Sequence, residues 1–164
     1  MGSVVKYDRT LFEPEHDLFR ESYRAFLDRH VAPYNEQWEK DKIVDRGVWL
    51  EAGKQGFLGM AVPEEYGGGG NPDFRFNVIV TEETTAGRYS GIGFGLHNDV
   101  VAPYLLRLAN DEQKARWLPN FCTGEIITAI DDRARYGQRP AGHQDPSRKR
   151  GRSLHPQRRK DVHH

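Results

Sequence analysis

Three glycines at alternate positions, Gly91, Gly93 and Gly95, interrupt an apolar stretch that reads Ser90-Gly91-Ile92-Gly93-Phe94-Gly95-Leu96-His97-Asn98-Asp99. Glycine costs about 1 kcal/mol relative to alanine inside a helix, so three of them need a reason. One reason is close backbone packing, or a loop leading into a helix. The other is a channel wall from which side chains are withheld so that a long apolar ligand can pass, and that wall would be Ile92, Gly93, Phe94, Gly95 and Leu96. No catalytic constellation accompanies it. Residues 67–70 are four successive glycines, but they lack the lysine and hydroxyl of a phosphate-binding loop and read as a flexible turn. The adjacent pairs Glu64-Glu65 and Glu82-Glu83 point their side chains in different directions, which argues against a shared-proton dyad. His16, His30 and His97 lack metal-ligand spacing, and Cys122 has no histidine near it in sequence, so all four read as packing or surface residues. No catalytic, cofactor-binding or metal-ligating residue is assigned.

The elements that must position the glycine segment are helices. Leu18, Phe19, Tyr23, Phe26, Leu27 and Val31 recur at helical spacing, which predicts an amphipathic helix over residues 14–30. Pro14 suits its first turn, and Glu13, Glu15 and Asp17 lie at the positive end of its dipole. Pro33 ends or kinks it, and residues 34–40 resume it. Asp45 is the expected N-cap of a helix over 46–55 that buries Val48, Trp49 and Ala52 and stops at Gly56. Residues 56–70 alternate apolar residues with glycines and predict an ordered loop ending in a mobile turn. Further helices are expected over 76–86, over 94–108 with a break near Pro103, and from Asn110-Asp111-Glu112-Gln113 onward. Ile126-Ile127-Thr128-Ala129-Ile130 follows Thr123-Gly124 and reads as a short strand.

The chain has 164 residues and a formal net charge of zero, but the charge is divided unevenly. Residues 1–130 carry 14 basic and 20 acidic side chains, whereas residues 131–164 carry 10 basic and 4 acidic ones, a change from −6 to +6. Only Ala134, Tyr136, Ala141, Leu154 and Val162 are apolar after Ile130, so residues 131–164 are expected to be a disordered basic tail. One cysteine excludes a disulfide framework, and no apolar run reaches membrane-spanning length, so the expected compartment is the cytoplasm. A non-enzymatic helical interaction module with a nucleic-acid-binding tail, built on Arg148-Lys149-Arg150 and Arg158-Arg159-Lys160, is the alternative that the charge alone suggests.

Over residues 11–130 the chain resembles the acyl-CoA dehydrogenases, and among them the long-chain type. The resemblance rests on Leu18-Phe19-Arg20, Trp38-Glu39-Lys40, Trp49 with Ala52-Gly53-Lys54-Gln55-Gly56-Phe57-Leu58-Gly59, Pro63-Glu64-Glu65-Tyr66-Gly67-Gly68, Gly93-Phe94-Gly95-Leu96-His97 and Asp111-Glu112-Gln113 before Trp117-Leu118-Pro119. It implies an all-α fold, with the family's N-terminal helical-bundle domain over 1–125 and the start of its middle β domain over 126–130. It also implies FAD as cofactor, fatty acyl-CoA as substrate, an electron-transferring flavoprotein as partner and a homo-oligomer for the full-length family member. The segments that carry the catalytic glutamate and most flavin contacts in the family have no counterpart here.

After Ile130 the family continues with Met or a similar residue and then Thr-Glu-Pro-Gly-x-Gly-Ser-Asp. Here the chain reads Asp131-Asp132-Arg133-Ala134-Arg135-Tyr136-Gly137-Gln138-Arg139. Codons for residues 131–145, read one base later, permit Met-Thr-Glu-Pro-Gly-Thr-Gly-Ser-Asp-Leu-Gln-Gly-Ile-Lys-Thr, which is the family's continuation at the family's spacing. Residues 131–164 are therefore expected to be an out-of-frame translation, and the chain as it stands to be inactive.

Overall fold

The computed structural model of the chain describes residues 10–130, and the expected basic tail over 131–164 lies outside them. The backbone divides after Ala129, and the first unit, Met1–Ala129, carries all the elements below. The all-α expectation holds: the described residues form helices and turns and no strand.

Helix α1 spans Pro14–His30 and begins with a proline whose absent N–H needs no partner there. It turns Tyr23, Phe26 and Leu27 inward. Leu18, expected on the same face, is 66% exposed, because one step of 100° separates it from the Phe19–Tyr23–Phe26 stripe. Helix α2, Asn35–Asp41, buries no side chain and ends at Lys42, which adopts a left-handed conformation at φ 56°. Helix α3, Arg46–Lys54, is capped as its sequence predicts, with the Asp45 carboxylate accepting the Gly47 N–H at 2.6 Å. Helix α4, Arg75–Ala86, packs along α1.

These helices enclose an aromatic core. Phe57 sits at its centre, with the Tyr23 ring edge-on at 5.0 Å and the Phe26 ring tilted at 5.2 Å. Phe94 meets Trp49 edge-on at 4.9 Å. Edge-to-face rings at these separations contribute about 0.5–1.5 kcal/mol beyond their buried area. A second cluster gathers Val62, Ala102, Leu118, Phe121 and Cys122.

Three sequence expectations need correction. The glycine run over 67–70 is a tied turn: the N–H groups of Gly67, Gly68, Gly69 and Gly70 donate to the carbonyls of Glu64, Pro63, Gly59 and Val62 at 2.8, 3.3, 3.2 and 2.8 Å. A Cβ on Gly68 would collide with the Val62 carbonyl, so close backbone approach explains the glycine there. Pro103 does not break its helix. Residues 94–108 are helical throughout, and the stretch Leu96–Val101 widens to a π-helix before α5, Ala102–Leu108, begins. Ala102 N–H donates to His97 O, and Pro103, with no N–H of its own, follows that wide turn. Residues 126–130 form no strand, since a strand needs a neighbouring edge and the described residues offer none. Helix α6, Asp111–Cys122, starts with the reciprocal cap that Asn110 and Gln113 suggest, at 2.9 and 3.0 Å.

Candidate functional site

The glycine segment splits into a buried and an open side. Ser90–Ile92 is a short 3-10 turn, and Gly93 reverses the chain at φ 69°, a conformation only glycine adopts without strain. Ile92 and Phe94 are 0% and 1% exposed and belong to the aromatic core. Gly95 differs from Gly93. Its backbone is ordinary right-handed helix, φ −59° and ψ −44°, and a Cβ placed on it would meet nothing closer than Asp99 Oδ2 at 3.7 Å and Thr81 Oγ1 at 3.8 Å. Neither conformation nor crowding requires glycine at position 95.

Leu96 opens the exposed side, and at helical spacing Val100, Tyr104 and Leu108 continue it. Tyr104 and Leu108 are 61% and 75% exposed. An open groove of 420 Å³ runs along this face, lined by Asp99, Val100, Pro103, Tyr104, Arg107 and Leu108. Burial pushes the Asp99 carboxyl above its usual range, against hydrogen bonds from Asn77 and Thr81 that pull it down. The Asn77 amide donates to Asp99 Oδ1 at 2.5 Å.

Behind the wall lie polar residues whose importance no local spacing reveals. Asn98 is buried and bridges the core loop, accepting from Gly59 N at 2.9 Å and donating to Phe57 O at 2.8 Å. His97, fully buried, faces Phe121 O through Nε2 at 3.1 Å and Thr128 Oγ1 through Nδ1 at 2.8 Å. Its ring stacks on Phe121 with centroids 3.5 Å apart. Burial depresses its pKa to about 4, opposed by the hydrogen bond to the Phe121 carbonyl. The packing reading of His97 and His16 is thus the one observed, and burial also raises the Cys122 thiol to about 11. Glu83 turns inward from α4 and receives both Arg20 and Arg24 of α1, with Arg24 Nε at 2.5 Å. Burial raises its carboxyl, but the bonds from Arg24 and Arg20 outweigh this and leave its pKa below the usual value.

Two arrangements could suggest a bound group. Ligand atoms of Glu13, Glu15 and His16 lie within 4.8 Å of one another, but His16 Nδ1 accepts the Glu13 N–H at 3.1 Å and Nε2 faces Asp73 Oδ2 at 3.3 Å. The glycine turn offers no cradle for a flavin's pyrophosphate either, because all four of its N–H groups are bonded within the loop.

The class is that of a helical unit with an open groove along one face, and sequence comparison gives it a family. Residues 13–125 match the acyl-CoA dehydrogenase N-terminal domain, and the chain belongs to that family. Its likeness to the long-chain specific mitochondrial acyl-CoA dehydrogenase of Rattus norvegicus is 42% identity over 122 residues, 74% of this chain. The crystal structure of an acyl-CoA dehydrogenase from Geobacillus kaustophilus superposes with a TM-score of 0.68 at 41% identity, covering 72% of this chain and 31% of that one. An acyl-CoA dehydrogenase from Bacillus anthracis complexed with FAD superposes at 0.63 with 30% identity, covering 73% of this chain and 21% of that one. The chain spans 28% of the length of the rat relative.

Proposed function

We propose that the helical unit supplies one wall of the acyl channel of an FAD-dependent acyl-CoA dehydrogenase, which carries out α,β-dehydrogenation of long fatty acyl-CoA and passes electrons to an electron-transferring flavoprotein. The wall is Ile92, Gly93, Phe94, Gly95 and Leu96. Ile92 and Phe94 anchor it in the core, while Gly95 and Leu96 face the acyl chain, which continues along Val100 and Tyr104. The observation that carries this reading is Gly95: a helical residue with room for a side chain that nonetheless has none, its Cβ position 3.7 Å from Asp99, which lines the open groove. Withholding a methyl group there leaves volume for a ligand.

This chain's residues bind and orient the acyl tail and exclude water along one side, which fixes the Cα–Cβ bond for reaction. No step of the oxidation is assigned to them: the one carboxylate lining the groove, Asp99, is held by Asn77, whose amide donates to its Oδ1. We further propose that residues 131–164 are read out of frame and that the 164-residue chain does not oxidise acyl-CoA. The parent enzyme is a homo-oligomer, and the lone, buried Cys122 is in keeping with the reducing cytoplasm. No helix among the described residues is long and apolar enough to cross a membrane.

The test uses the gene with its frame shifted after the Ile130 codon. In that enzyme Gly95→Phe should lower kcat/KM for long acyl-CoA far more than for short, because only long chains reach position 95. Equal losses at every chain length would remove the channel assignment.

A further inference from the structure

Residues 94–101 have a front and a back. Leu96 is exposed and Val100 lines the groove, while His97 and Asn98 are buried at 0% and 5% exposure. Asn98 fixes the core loop. His97 reaches the two segments that lead out of the helical unit, namely the end of α6 at Phe121 and the chain beyond it at Thr128.

The chemistry of its partners sets the direction of both bonds. The Phe121 carbonyl can only accept, so Nε2 carries the ring proton. A neutral imidazole then has only a lone pair at Nδ1, and Thr128 Oγ1–H must donate to it. The depressed pKa agrees with a neutral ring. Few other ties hold the chain after α6. Ile126 N–H donates to Asn120 O at 2.9 Å, and Arg46 donates to Glu125 O. Beyond Ile126, the Thr128 hydroxyl makes the one hydrogen bond found among the described residues. The π-helical turn that holds His97 is a rare conformation, frequent at functional sites.

We infer that His97 is a positioning residue: its neutral imidazole clamps Thr128 to the end of α6 and so fixes the segment over 126–129 in register with the Gly93–Leu96 wall. The inference rests on reading that wall as the acyl channel. It adds a physical link between the surface that holds the tail and the chain that leads away from it. His97 touches no substrate and acts through the Thr128 hydroxyl.

The experiment is nuclear magnetic resonance with amide hydrogen exchange on the full 164-residue chain, comparing wild type, Thr128→Val and Thr128→Ser. These variants leave the buried ring in place and avoid the folding risk of replacing His97. Wild type should show the Nε2–H tautomer with Nδ1 accepting. Thr128→Val should shift the Nδ1 resonance and leave a buried acceptor unmatched, accelerating exchange at Ile126 and at His97, whose N–H donates to Gly93 O, by about ten- to hundredfold. Core amides such as Phe26 should keep the wild-type rate, and Thr128→Ser should restore it everywhere. A Nδ1–H tautomer, acceleration confined to Ile126, or equal acceleration at every core amide would each overturn the clamp. Failure of the chain-length test on Gly95→Phe would instead remove the channel and leave this measurement unchanged.

Discussion

Alanine at position 95 should make this protein more stable. Gly95 has φ −59° and ψ −44°, within the right-handed helical region, and a new Cβ would stand 3.7 Å from Asp99 Oδ2 and 3.8 Å from Thr81 Oγ1, ordinary contact distances. The mutation restricts the unfolded chain without straining the folded one, which stabilises by about 0.5–1 kcal/mol. Gly93 provides the internal control. At φ 69° an alanine Cβ is strained whatever space surrounds it, so Gly93→Ala should destabilise by about 1–2 kcal/mol. Urea unfolding of the two variants beside wild type, followed by far-ultraviolet circular dichroism, reads both effects. With a slope of about 1–3 kcal/mol/M, the midpoint should rise by about 0.2–1 M for Gly95→Ala and fall by a comparable or larger amount for Gly93→Ala. Loss of stability in Gly95→Ala would show that packing demands the glycine, and the argument that it is kept for a ligand would fail.

Four further outcomes follow from the same geometry. Phe94→Ala should lose about 3–5 kcal/mol because the ring is 1% exposed, whereas Leu96→Ala, 37% exposed, should stay within about 1 kcal/mol in the same unfolding assay. Glu83→Gln should destabilise by about 1–3 kcal/mol, since it removes the inward carboxylate that Arg20 and Arg24 share and leaves Arg20 only its pair with Glu82; a neutral result would mean that the Arg20–Glu82 pair and the apolar contacts suffice to hold α1 on α4. His97, depressed from 6.5 to about 4, binds fewer protons folded than unfolded, so its contribution is complete above pH 6.5 and is lost as pH falls towards 4, amounting to about 3 kcal/mol; that slope should vanish in His97→Gln. The purified 164-residue chain should be colourless, and flavin retained in stoichiometric amount after gel filtration would contradict the proposal that this chain does not oxidise acyl-CoA for want of a bound flavin.

Periodicity and punctuation made the helices legible. Pro14, Asp45, Gly56 and the Asn110–Gln113 pair each mark a boundary through a local rule, and each boundary stands where that rule puts it. What remained illegible depends on residues far apart in sequence. Arg20 meets Glu83 across 63 residues and His97 meets Thr128 across 31, and neither pairing leaves a trace in local spacing. The glycines over 67–70 looked like a flexible turn because nothing in their sequence reveals the Gly59 and Val62 carbonyls that bind them. The sequence shows a break where the structure has a π-helical widening before Pro103, since a proline's missing N–H announces an interruption but not its form. Of the proposed wall, the glycine spacing was visible from the start. Which glycine the backbone requires emerged only from the dihedral angles, which separate Gly93 from Gly95.

The central claim, that this helical unit is the acyl-binding wall of a flavin-dependent dehydrogenase whose reading frame changes after Ile130, has one direct measurement. The gene is expressed with the frame shifted by one base after that codon, and the purified protein is mixed anaerobically with a long-chain acyl-CoA while its visible absorbance is followed. The account predicts a yellow protein whose flavin absorbance bleaches as the acyl chain is oxidised. A colourless protein, or a flavin that stays oxidised in the presence of excess substrate, would contradict it.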